Sequence, residues 1–169
     1  MRTLFSLFVA AALTLAGCDT DFRPRNDAPL PSNLTITSAA DVLPEVSKLL
    51  GIWEGQYSDF RNVKVAVTEI RGNQATVVYG WGAGGGLSIA SRIAGHDQPT
   101  LAEVVDNKIV WSKIRNDRII KLTLTHNPKT GGVELWYQSH YLNGSPSYGP
   151  IKADLSKTQG TGSTRLATR

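Results

Sequence analysis

The side chains that could do chemistry are scattered along this chain. Three histidines occur, His96, His126 and His140, and none has a His or Cys partner at metal-ligand spacing. His126 and His140 fall on adjacent predicted strands, so a two-His site with Asp97 or Glu134 is conceivable, although surface or hydrogen-bonded histidines are far commoner. Glu54, Glu69, Glu103 and Glu134 form no acid–base pair and read as solvated strand faces. Ser88, in Gly-Leu-Ser-Ile-Ala, lacks the second glycine of a nucleophile elbow. Gly82-Ala-Gly-Gly-Gly86 has neither a Lys-Ser/Thr pair nor the following helix that a phosphate cradle requires, and reads as a flexible loop. The sequence thus predicts no catalytic residue, no metal and no cofactor.

Cys18 remains, and it is the only cysteine. It has no disulfide partner within the chain, and an exposed thiol would be a liability in an oxidising compartment. Arg2 opens the chain, and Leu4 to Gly17 follows without a charge. That run is shorter than the roughly 20 apolar residues needed to span a bilayer. It predicts a secretory signal over residues 1–17. The segment Leu15-Ala16-Gly17-Cys18 resembles the lipobox of bacterial lipoproteins. The resemblance implies cleavage before Cys18, diacylglyceryl transfer to its sulfur and acylation (palmitate) of the new terminus. Membrane attachment would then be through this N-terminal lipid. Asp19 resembles the inner-membrane retention signal of enterobacterial lipoproteins, which implies the periplasmic face of the inner membrane, with the outer membrane as the alternative.

Losing residues 1–17 removes only Arg2 among the charges, so the formal net charge falls from +4 to +3. About 152 residues remain, room for one ordinary domain. Lys48, Lys64, Lys108, Lys113 and Lys121 are spread singly, as on a solvated surface, and no basic block suggests nucleic-acid binding.

These features must be carried by a fold without disulfides. Residues 18–37 are rich in Pro, Asp and Asn and read as a lipidated terminus and flexible tether. Ser38-Ala-Ala-Asp41 resembles a capping box, and Val42, Leu43, Val46, Leu49 and Leu50 recur at helical spacing before Gly51, which predicts a short helix over about 39–50. From residue 52 the period changes to two. Strands are predicted at 52–58, 63–70, 74–81, 87–94, 101–105, 108–113, 117–126, 133–142 and 151–155, joined mostly by tight turns. Residues 95–99 read as a turn and 158–169 as a disordered tail. The reading is an all-β domain over 38–157: an antiparallel up-and-down barrel of eight or nine strands with a short N-terminal α-helix. Closure removes the unpaired strand edges.

At Gly51-Ile-Trp53 this pattern resembles the lipocalins and the wider calycin group. Trp53-Glu-Gly55, Val63-Lys-Val-Ala-Val67 and Ala75-Thr-Val-Val-Tyr-Gly-Trp-Gly82 resemble bacterial lipocalin-like domains of uncharacterised type. The resemblance covers about residues 48–156. It implies that Gly51 and Trp53 form a structural plug at the closed end of the barrel, covered by a basic side chain near the last strand, Lys152 or Lys157 here.

Alternation assigns inward faces to Val63, Val65 and Val67; to Ala75, Val77, Tyr79 and Trp81; to Ile109 and Trp111; to Ile120, Leu122 and Leu124; and to Val133, Leu135, Tyr137 and Tyr141. Tyr79, Trp81, Trp111, Leu122 and Tyr137 are the candidate cavity lining. The sequence supports two functions. One is a membrane-anchored binding protein for an apolar or amphipathic small molecule, such as a lipid. The other is an envelope interaction protein whose barrel is filled and whose outer surface meets a protein partner.

Overall fold

The computed structural model describes residues 27–37, 39–84 and 93–158. The predicted signal, Cys18, Asp19, Ser88, most of the predicted strand at 87–94 and nearly all of the predicted tail lie outside the described residues.

The chain forms an antiparallel β-barrel with one short helix. Its elements are β1 (Ala39–Ala40), α1 (Pro44–Ser47), β2 (Gly51–Tyr57), β3 (Asn62–Arg71), β4 (Gln74–Trp81), β5 (Gly95–His96), β6 (Thr100–Val105), β7 (Lys108–Arg115), β8 (Arg118–His126), β9 (Val133–Tyr141) and β10 (Pro146–Lys157). Eight strands close a ring in chain order, β2-β3-β4-β6-β7-β8-β9-β10, and β10 returns to pair with β2 from Ala153↔Tyr57 to Lys157↔Trp53. This is the expected up-and-down eight-stranded lipocalin-like architecture. Neighbouring pairs are local hairpins except β4–β6, whose connection passes through β5, and β10–β2, the long-range pairing that closes the ring.

The barrel has two unlike ends. The turns at 71–74 and 105–108 and the loop at 126–133 lie at one end with α1. The loops at 57–62, 115–118 and 141–146, with Trp81 and Gly95, lie at the other. The α1 end is closed. Trp53 is buried there, and its indole N–H donates to the Leu49 carbonyl at 2.8 Å. Lys157 Nζ stands 5.5 Å over the Trp53 ring. Lys152, the other basic candidate, instead pairs outside the barrel with Asp154 at 3.0 Å and Glu134 at 3.5 Å. Gly51 has φ +128°, and a Cβ there would lie 2.9 Å from Lys157 Cε. The glycine of Gly-x-Trp therefore makes room for the lysine that covers the tryptophan.

The expected inward faces are realised, with one interruption. Val63, Val65 and Val67 point in, a bulge falls between Val67 and Glu69, and Ile70 resumes the inner face opposite Ala75. The bulge frees the Thr68 carbonyl, which accepts from Thr37 N at 2.8 Å and from Thr37 Oγ1 at 3.0 Å. This contact belongs to a strap. Residues 27–37, expected as part of a flexible tether, lie along the outside of β3 and β4. Ala28 is buried, Asp27 pairs with Lys64 at 2.8 Å, and the Pro29 carbonyl lies against Gly80. The strap ends in β1, which pairs in parallel with β3 at Ile70 and Arg71.

The expected helix over 39–50 contracts to four residues. Ala39 and Ala40 are drawn into the sheet, and Asp41 adopts φ +57°, which no helix continues through. Pro44 then opens the helix at its first turn, where a missing N–H costs nothing. Gly95 and His96, expected in a turn, pair with Trp81 and Gly80 as β5.

Candidate functional site

The interior changes character along the barrel axis. Its closed half is a packed apolar core in which Leu122, Leu124 and Leu135 have no exposed surface. A side chain with no surface reachable by a water-sized sphere borders no water-sized gap. Toward the open end the inward positions become aromatic and cationic.

The site is built from three pieces of backbone. The first is the 57–62 loop, fixed by Tyr57 N donating to the Arg61 carbonyl at 2.9 Å and Phe60 N to the Tyr57 carbonyl at 2.9 Å. Asp59 caps this turn through Arg61 N at 3.3 Å and receives Arg61 Nε at 2.7 Å. The Arg61 guanidinium is thereby aimed over Tyr57, Tyr137 and Tyr148, at 5.7, 5.9 and 5.6 Å from their centroids. The second piece is the start of β10, where the Tyr148 hydroxyl donates to Asp59 Oδ2 at 2.7 Å.

The third piece brings side chains of β7 against those of β4. Lys113 shares the inward face of Ile109 and Trp111, so the strand period carries its amine into the barrel. There it bonds Asp97 and lies 4.6 Å from the Tyr79 centroid and 5.0 Å from that of Trp81. Tyr79 and Trp81 stack at 5.9 Å, and Arg115 covers Trp81 at 4.7 Å. Trp81 Nε1 donates to the Ile93 carbonyl at 3.0 Å, tying the stack to the segment before β5.

The electrostatics follow from this packing. Burial pushes the Tyr57 and Tyr79 hydroxyls upward, so both stay protonated; their oxygens are 3.4 Å apart. Burial pulls the Lys113 amine below its ordinary value, against the opposing pull of Asp97. Burial also works against the Asp59 carboxylate, but Tyr148 and Arg61 more than offset it, so the carboxyl is held low. Two of the mouth cations are thus neutralised, Arg61 by Asp59 and Lys113 by Asp97, while Arg115 has no carboxylate partner among the described residues. The open end thus gathers tyrosine hydroxyls, ring faces and cations, with Tyr57 and Tyr79 themselves buried.

All five expected lining residues lie around the interior, at two depths. Trp111, Leu122 and Tyr137 form a row across β7, β8 and β9. Within that row Trp111 and Leu122 are buried in the packed core, whereas Tyr137 reaches the mouth and meets Tyr57 edge-on at 6.1 Å. Tyr79 and Trp81 stand at the mouth. Tyr57, Asp59, Arg61, Lys113, Arg115 and Tyr148 were not among the expected lining. Strand parity with Trp111 was the signal available for Lys113. Asp59 and Tyr148 are 89 residues apart, and nothing local joins them.

His126 and His140 do not meet. His126 pairs with Val133 at the closed end and His140 with Ile119 near the open end, about 20 Å apart along the strand. Among the described residues, no group of three His, Cys, Asp or Glu side chains could hold a metal ion. A cleft of about 350 Å³ lies outside the barrel, between the strap and β2–β3, lined by Asp27, Glu54, Gln56, Asn62 and Lys64. Compared with protein-family models, curated proteins and solved structures, the chain matches none.

Proposed function

We propose that this chain is a lipid-anchored protein of the bacterial cell envelope, a lipocalin-like barrel that binds a small amphipathic molecule at its open end. The observation that carries this reading is the inward-facing cluster of Tyr57, Tyr79, Trp81 and Tyr137 with Arg61 and Lys113. Ring faces suit an acyl chain or another apolar body, and the cations and hydroxyls suit a polar or anionic end. The packed core around Leu122 confines the ligand to the outer half of the barrel. The lipobox resemblance at Leu15–Cys18 supports the anchor, and Asp19 favours the periplasmic face of the inner membrane.

The same packed core supports a second reading, a filled barrel that meets a protein partner. Native mass spectrometry of the full chain, extracted from its host membrane in mild detergent, separates the two. Binding predicts a retained lipid-sized mass that is lost in Arg61→Ala. A bare protein mass that no added lysolipid or fatty acid shifts would reject it.

A further inference from the structure

We infer that the open end of the barrel faces an anionic membrane surface and docks on it through Phe60, Ile114, Ile119 and Leu142 beside Arg115 and Arg118. The inference rests on the anchored reading of Cys18. Two independent observations carry it.

The first is the direction of the strap. β3 runs from the open end at Asn62 to the closed end at Arg71. The strap runs parallel to it, with Asp27 at Lys64 and Pro29 at Gly80, then Thr37 at Thr68 and Ala40 at Arg71. The chain therefore joins the barrel at its open end. Nine residue steps separate Cys18 from Asp27. They reach at most about 30 Å. A ten-residue strand such as β3 spans a comparable distance, so turning the closed end to the membrane would consume nearly all of that reach.

The second is what the open end displays. Phe60 is 79% exposed and held at φ +66°, although a bulky side chain disfavours that conformation. Gln56 Nε2 fixes its carbonyl at 3.0 Å, so the ring is presented on a rigid tip. Ile114 and Ile119 are a cross-strand pair on the outer face, 71% and 39% exposed. Leu142, 58% exposed, adjoins them, because its N–H donates to the Asp117 carbonyl at 2.9 Å. Arg115 and Arg118 flank the same turn. Apolar loop tips mixed with arginine suit the interface of a bilayer rich in anionic lipid.

The test uses the full lipoprotein in vesicles of phosphatidylcholine with and without phosphatidylglycerol. Nitroxide labels are placed singly by Phe60→Cys or Leu142→Cys at the open end and by Leu43→Cys or Val105→Cys at the closed end. Acylation of Cys18, verified by intact mass, leaves each introduced thiol as the sole target. In vesicles containing phosphatidylglycerol, the open-end labels gain oxygen collisions and lose contact with aqueous nickel, while the closed-end labels stay in water. Hydrogen exchange at 59–61 and 142–145 of the unlabelled chain slows in parallel. Acylated protein whose open-end labels remain as wet as those at the closed end would overturn the inference. So would open-end labels that become shielded only when envelope proteins are added. A chain lacking the acyl mass would instead fail the anchored reading.

Discussion

Replacing Arg61 by alanine removes the group that organises the mouth. Its guanidinium bonds Asp59 at 2.7 Å and lies within 6 Å of three tyrosine rings, with its side chain only 24% exposed. A partly screened ion pair of this kind contributes up to about 1 kcal/mol. A cation over a ring adds roughly 0.5–1 kcal/mol, and three rings sharing one cation add less than three times that. The expected loss is roughly 2–3 kcal/mol. Arg61→Lys keeps the charge but loses the planar fork, and recovers less than half of it. The assay is equilibrium urea unfolding followed by tryptophan fluorescence. The midpoint falls while the denaturant slope stays constant, because the barrel still closes. A loss below about 0.5 kcal/mol for Arg61→Ala would show that the cluster is not coupled to the fold and would refute the reasoning.

Three further outcomes are expected. Trp53→Ala leaves a large void at the closed end and strips the Leu49 carbonyl of its donor, which together cost roughly 4–6 kcal/mol and lower Tm accordingly. Gly80→Ala would drive a Cβ into the Pro29 carbonyl oxygen; hydrogen exchange at Ala28 and Leu30 accelerates while the β circular dichroism is unchanged. The Asp59 carboxyl is held below its ordinary 3.8 in the folded chain, so its stabilisation is complete above that value and is lost as pH falls through the lowered pKa. Asp59→Asn removes that part of the acid limb, read as the slope of Tm against pH between about 2 and 5.

The barrel was legible because its strands alternate with few interruptions. Val63, Val65 and Val67 and then Ile120, Leu122 and Leu124 declare an inner face by parity alone. The strap was not legible. Residues 27–37 carry almost no apolar pattern, and they are held by backbone contacts at a bulge carbonyl and at Gly80, which leave no mark on composition. Ala66 and Val78 are the trace they leave, apolar residues buried on what parity makes the outer face. The helical period of Val42 and Leu43 predicts a longer helix than forms, because the backbone bend at Asp41 has no side-chain signature. At the mouth, Lys113 sits two residues from Trp111 and so shares its face, yet a lone lysine reads as solvated until a partner such as Asp97 is in view. Arg61 and Asp59 lie in a loop where no period applies, and of their tyrosine neighbours only Tyr57 is local, while Tyr137 and Tyr148 come from β9 and β10.

The most direct test of the open-end site is photocrosslinking of the full chain with a photoreactive fatty acid, mapped by peptide mass spectrometry. The account predicts adducts concentrated on the peptides carrying Tyr57, Trp81, Tyr137 and Tyr148, competed away by unlabelled fatty acid. Adducts confined to the outer cleft around Glu54 and Lys64, or labelling without competition, would contradict it.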